Sequence, residues 1–310
     1  MLDGPPLRYQ RQKPDKGIRI KQKRRIKTVL YITAVAFAIG VALVVVAGGR
    51  LVAPVNRPIP LPEGNLANLP LEAIDIETAL GETLAAWQVE HPTSSATVIL
   101  LHPLRADRRA MLERAKLFYD AGFSVLMIDF QAHGESVGDA ITMGYRERHN
   151  AADAIKFVRN QTPNHKIAVV GWSLGGAATL LSMPIEIDAL VLESVYPTLV
   201  EAVHDRIAMR AGPLKYVLAP ALLWQLEPRL GFTADNLRPI DHLKDVSCPV
   251  LIAAGDQDQH TPIDETHRMF AAAIAPKQLV IFAGAKHEDL LKFDRQKYQT
   301  EVVGFISAHL

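Results

Sequence analysis

A chain of 310 residues with close to half its side chains apolar has enough material for one large globular body and an appendage. Its 34 bases and 33 acids nearly cancel, but ten of the bases fall in residues 1–27 against two acids, leaving 24 bases against 31 acids beyond; a net-acidic body argues against nucleic acid as a partner. Cys248 is the only cysteine, which excludes an internal disulfide and a multi-cysteine zinc site.

The first predicted element is a membrane anchor. After the basic tail 1–27 comes a transmembrane helix over 28–49, whose run TVLYITAVAFAIGVALVVVA carries no charge. Twenty helical residues cover about 30 Å, the thickness of a bilayer's hydrocarbon core. RIKQKRRIK precedes the run and only Arg50 and Arg57 follow closely. That bias puts the N terminus in the cytoplasm and the bulk of the chain outside it, in the periplasm if the host is bacterial. A cleaved secretion signal ending near Ala47 is the competing reading. Residues 50–71 carry prolines at 54, 58, 60, 62 and 70, which disfavour helix and central strand and predict a semi-extended spacer.

From residue 72 to 310 the pattern alternates. LAAWQVE (84–90), ATVILL (96–101) and FSVLMIDF (123–130) read as strands, with a helix over 106–122 between the last two. A helix over 146–161 leads to the strand KIAVVGW (166–172) and the helix GGAATLLSM (175–183). Strands over 187–194, 248–255 and 277–284 follow, with helices over 264–274 and near 289–309. Such alternation predicts an α/β chain with a mostly parallel sheet, which binds ligands at the carboxyl ends of its strands.

Gly171-Trp172-Ser173-Leu174-Gly175 lies between a predicted strand and a predicted helix, the setting of a nucleophile elbow. Small flanking residues permit the tight turn, and the N–H of Leu174 at the helix start would face a developing oxyanion. A serine hydroxyl needs a base to take its proton, and the expected chain order is serine, acid, histidine. AAGDQDQHTP offers Asp256 and Asp258 after one strand, and FAGAKHEDLL offers His287 after the last.

Taken in order, HPLRADRR, IDFQAHGES, GWSLGG, GDQDQHTP and GAKHEDL resemble the α/β-hydrolases of the serine esterase, lysophospholipase and serine aminopeptidase-like group, over about residues 72–310. The resemblance implies the α/β-hydrolase fold: a mostly parallel central sheet, helices on both faces and a helical lid insertion at about 195–245, here preceded by one transmembrane helix. It implies Asp258 rather than Asp256 as the acid, through G-x-x-D-x-x-x-P, and His287 as the base, through G-x-x-H. Leu104 corresponds to the second oxyanion donor beside Leu174. The chain departs from the family's His-Gly at this loop, since Pro103 has no N–H to give.

The activity so implied is cleavage of a carboxylic ester or thioester through an acyl-enzyme, on a small-molecule ester or lipid-like acyl substrate. Two alternatives stay open: an aminopeptidase-like enzyme with Glu193 or Glu201 in an amine pocket, and a non-catalytic binding protein on the same fold. Leu218, Leu222, Leu223, Trp224 and Leu226 are expected either to wall an acyl pocket or to pack the lid. Arg105, Arg108 and Arg109 either grip an acidic head group or are solvated, His260 is expected at the surface, and His102 and His133 are expected to hold loops. No motif for a metal, nucleotide or other cofactor is present, so none is expected.

Overall fold

A computed structural model describes residues 16–62, 69–274 and 276–310. Residues 1–15 of the expected tail 1–27 and residues 63–68 of the expected spacer 50–71 lie outside the described residues. The chain divides into two units, residues 1–47 and 48–310.

Helix α1, Lys16–Val52, fills the described part of the first unit and runs on into the second. Its stretch Lys23–Val52 is long and apolar enough to cross a bilayer. Apolar side chains such as Leu30, Phe37 and Leu43 lie open on it, the reverse of what a soluble core helix does with such residues.

The larger unit begins with the bridge strand β1 (Val55–Asn56) and the strands β2 (Leu71–Glu77), β3 (Thr83–Val89) and β4 (Ala96–Leu101). Helix α2 (Leu112–Asp120), strand β5 (Ser124–Ile128), the bridge β6 (His133–Gly134) and α3 (Glu147–Gln161) follow. Then come β7 (Lys166–Trp172), α4 (Leu174–Leu181) and β8 (Ala189–Glu193). The insertion carries α5 (Leu199–Ala211), α6 (Lys215–Leu223) and α7 (Leu226–Leu230). The chain closes with β9 (Val250–Gly255), α8 (Ile263–Ala272), β10 (Lys277–Phe282), α9 (Leu290–Phe293), α10 (Arg295–Tyr298) and α11 (Gly304–His309).

The main sheet runs β10-β9-β8-β7-β4-β5-β3-β2, parallel except where β3 meets β2 and β5. Its central strands are buried along their whole length, because helices cover both faces. Alternation still decides which core each side chain joins. Ile99 and Leu101 face α3 and α4, whereas Val98 and Leu100 face α2 and α11.

Two elements depart from expectation. Strand β2 pairs with β3 over seven residues, yet Glu72, Asp75 and Glu77 hide it in the sequence, since only Ile76 is fully buried on this edge. The final helix is broken, because the Asp289 and Asp294 side chains cap α9 and α10 and restart the chain twice.

The sheet order places the site. Strand β4 is followed by β5 on one side, while β7 is followed by β8 to β10 on the other. The loops leaving β4 and β7 therefore diverge and open a crevice at their carboxyl ends.

Candidate active site

The turn after β7 is built from close approaches. A Cβ on Gly175 would stand 2.2 Å from the carbonyl oxygen of Leu101, and one on Gly171 2.4 Å from the nitrogen of Gly176. Only glycine lets the start of α4 lie this near to β4 and β7. Between them Ser173 takes φ 50° and ψ −105°, a left-handed conformation costing a non-glycine residue about 1–3 kcal/mol. Its N–H donates to the Glu193 carbonyl at 2.8 Å and its carbonyl accepts from Ala177 at 3.0 Å, which hold the strained turn in place.

Asp258 leaves the end of β9. Its Oδ1 accepts the N–H groups of His260 and Thr261 at 2.8 and 3.0 Å, and its Oδ2 lies 2.7 Å from His287 Nδ1. A carboxylate can only accept here, so Nδ1 carries the proton and Nε2 keeps its lone pair for a proton acceptor's task. Asp258 is 4% exposed, so the bond is shielded from water. Asp256 instead bonds the N–H of Gly284 at 2.7 Å and shapes the turn before His287. The structure thus joins His287 to Asp258 and puts Ser173 on the same edge of the sheet. No hydrogen bond links the Ser173 hydroxyl to the imidazole, a bond that often tightens only with substrate bound.

Neither the Leu104 N–H nor the Leu174 N–H donates a hydrogen bond among the described residues. The loop bearing Leu104 is fixed from behind by two histidines. His102 Nδ1 donates to the Pro103 carbonyl at 2.8 Å and its Nε2 accepts from Phe130 N–H at 3.0 Å. His133 Nδ1 donates to the Gln131 carbonyl and its Nε2 accepts from Arg105 N–H at 3.2 Å. Both rings must be neutral to accept, and burial, followed by the neighbouring His133 ring, pushes His102 down to about 3. Burial lowers His133 as well.

Other expected residues fall elsewhere. Glu193 accepts from Arg114 and from the Tyr298 hydroxyl, and Arg114 also meets Asp289 at 2.9 Å. Glu201 pairs with Arg268 and accepts from Thr198. Both carboxylates expected for an amine pocket are therefore engaged in structure. Arg108 is buried between Asp129 and Glu135, and Arg109 pairs with Asp107, so neither forms the expected anion grip. Trp224 is 73% exposed, whereas Leu226 packs with Leu199, Phe232 and Leu237 and Leu223 lies against the same cluster, so these two leucines follow the packing alternative. His260, expected at the surface, stacks obliquely 4.8 Å from the His287 ring, and burial, then the nearness of that ring, lowers its pKa.

Arg114 is a residue the sequence reading missed. Wholly buried, it ties α2 to the end of β8 through Glu193 and to the loop after His287 through Asp289. Its guanidinium also lies over the Trp172 and Tyr298 rings. The available sign was its place on the apolar face of α2, among Met111, Ala115 and Phe118.

Residues 98–296 match the model of the alpha/beta hydrolase family. The uncharacterized protein YqkD of Bacillus subtilis is 24% identical over 240 residues, 76% of this chain and 78% of that one. The lysophosphatidylserine lipase ABHD12 of Macaca fascicularis is 23% identical over 196 residues, 60% of this chain and 48% of that one. Among solved structures, the Pyrococcus furiosus esterase Pf2001 superposes with a TM-score of 0.67 at 20% identity, covering 83% of this chain and 99% of that one.

Proposed function

The chain belongs to the alpha/beta hydrolase family, and from that premise we propose that it is a membrane-anchored serine hydrolase acting on carboxylic ester or thioester bonds. The observation that carries the reading is the buried bond between His287 and Asp258 on the same sheet edge as a strained Ser173. In this reading His287 Nε2 takes the Ser173 proton as Oγ attacks the acyl carbonyl. The Leu104 and Leu174 N–H groups receive the oxyanion. The imidazolium, stabilised by Asp258, then gives its proton to the leaving group, and an acyl-enzyme remains. Water, deprotonated by the same imidazole, releases the acid and restores Ser173.

The domain scheme follows: tail 1–27 in the cytoplasm, span 28–49, connector 50–71 and catalytic domain 72–310 outside, with the lid over about 195–245. The open apolar stretch Lys23–Val52 supports the anchor. Lipid-like acyl esters are favoured as substrates, because a relative is named a lipase and a bilayer would supply such molecules at close range. The engaged state of Glu193 and Glu201 disfavours an aminopeptidase. A panel of p-nitrophenyl esters of graded chain length, run beside aminoacyl anilides, separates the two. Ester turnover that vanishes in Ser173→Ala is expected, whereas anilide turnover alone would overturn the substrate class.

A further inference from the structure

We propose that the end of the N-terminal helix and the segment leaving it, residues 50–59, form a brace for the oxyanion loop, with Arg105 as its positioning residue. This rests on the hydrolase reading above and on Leu104 as an oxyanion donor, and it extends both to a part of the chain that resembles a mere connector.

The last turn of α1, from residue 48, belongs to the larger unit. Arg105 follows Leu104 directly, and its Nη1 reaches the carbonyl oxygens of Arg50, Leu51 and Ala53 at 3.1, 3.5 and 3.4 Å. These are end-of-helix carbonyls without helical partners, and a cation is the group that suits them. Arg105 also stands at φ 61°, a strained conformation that needs holding from outside. Its own N–H is held by His133 Nε2.

The brace then grips the second loop, the one that supplies His133. Val55 N–H donates to Ala132 O at 2.9 Å and Arg57 N–H to Gly134 O at 2.8 Å, forming the parallel bridge of β1 with β6. Asn56 Nδ2 donates to Ser136 O at 2.6 Å, and Ile59 N–H donates to Glu135. Ala132 is itself left-handed, at φ 59°. Arg57 closes the circuit by pairing with Asp107, which caps the turn following Leu104. One short segment thus ties together two strained loops that meet at the Arg105–His133 bond. Pro103 removes one N–H from this loop, so the setting of Leu104 depends the more on such outside support.

The test uses the full-length protein in detergent micelles and an ester that the wild type turns over. Arg105 is exposed, so Arg105→Ala leaves the core untouched. Loss of a whole oxyanion donor costs about 100-fold or more, so a displaced one is expected to lower kcat by about tenfold while KM stays within about twofold. A trifluoromethyl ketone, which mimics the tetrahedral state, should weaken by the same factor as kcat/KM, with Tm little changed. Arg105→Lys should recover part of kcat, since an ammonium still answers the carbonyls. Asn56→Ala, which acts on the other loop, should show the same split. Unchanged kcat in Arg105→Ala beside an active wild type overturns this proposal alone, and so does a loss of turnover that merely tracks loss of folded protein in both variants. A folded wild type inert on every ester overturns the hydrolase reading and the brace with it.

Discussion

At Ser173 the backbone is strained, and Gly171 and Gly175 on either side lie tight against the backbone of Gly176 and Leu101, so the fold rather than the serine itself dictates the turn. The supporting histidines carry a cost that pH exposes. Burial first, then the His133 ring, takes His102 from its ordinary 6.5 to about 3, so the unfolded chain binds a proton that the folded chain refuses. The stability this gives is complete above 6.5 and is lost as pH falls from 6.5 toward 3, by up to about 1.4 kcal/mol per pH unit for each proton. Urea unfolding of wild type and His102→Gln across that window checks it. The variant should lose stability less steeply on acidification, with the remaining slope partly owed to His133, and equal slopes would refute the assignment. The tight turn at Ser173 and the pairing of Asp258 with His287 were legible because glycines and strand ends mark themselves in sequence. Arg114 was only half legible, because its place on the apolar face of α2 hints at burial but does not name its partners Glu193 and Asp289, distant in sequence.

Among the elements, the insertion helix α5 and the core helix α8 meet through acids. Asp205 Oδ2 on α5 and Glu265 Oε2 on α8 are buried with no other hydrogen-bond partner among the described residues, and one proton shared between them would answer both. Burial pushes Glu265 up to about 8, with the charges of Asp205 and Glu201 adding and Arg268 opposing. Burial raises Asp205 too, against Lys215 and Arg206 and with Glu201. For an acid so raised, the contribution is complete below its ordinary 4.5 and is lost as pH rises through about 8. Limited proteolysis within 199–230 should therefore quicken as pH rises from about 4.5 to about 8 in the wild type. Glu265→Gln, which donates at any pH, should flatten that rise, and a variant as pH-sensitive as the wild type would contradict the shared proton. The central strands were legible as apolar runs, whereas β2 was masked by its exposed acids and the broken final helix by caps that also suit a helix surface.

For the whole molecule, two features readable from sequence, an uncharged apolar helix and an alternating α/β body, bound what the protein does. Their junction was not readable. The prolines that suggest a free spacer also permit residues 53–59 to lie extended against the loop that carries His133, while the last helical turn before them meets Arg105, and only the fold brings those groups together. The body's parallel sheet gathers Ser173, Asp258 and His287 at one edge although they are spread across more than a hundred residues. The central claim is that this edge makes Ser173 a nucleophile. Labelling the intact protein with a fluorophosphonate and locating the adduct by peptide mass spectrometry tests it most directly. One adduct on Ser173, absent from Ser173→Ala and strongly slowed in His287→Ala, is the expected result; a folded wild type that stays unlabelled at Ser173 would contradict the account.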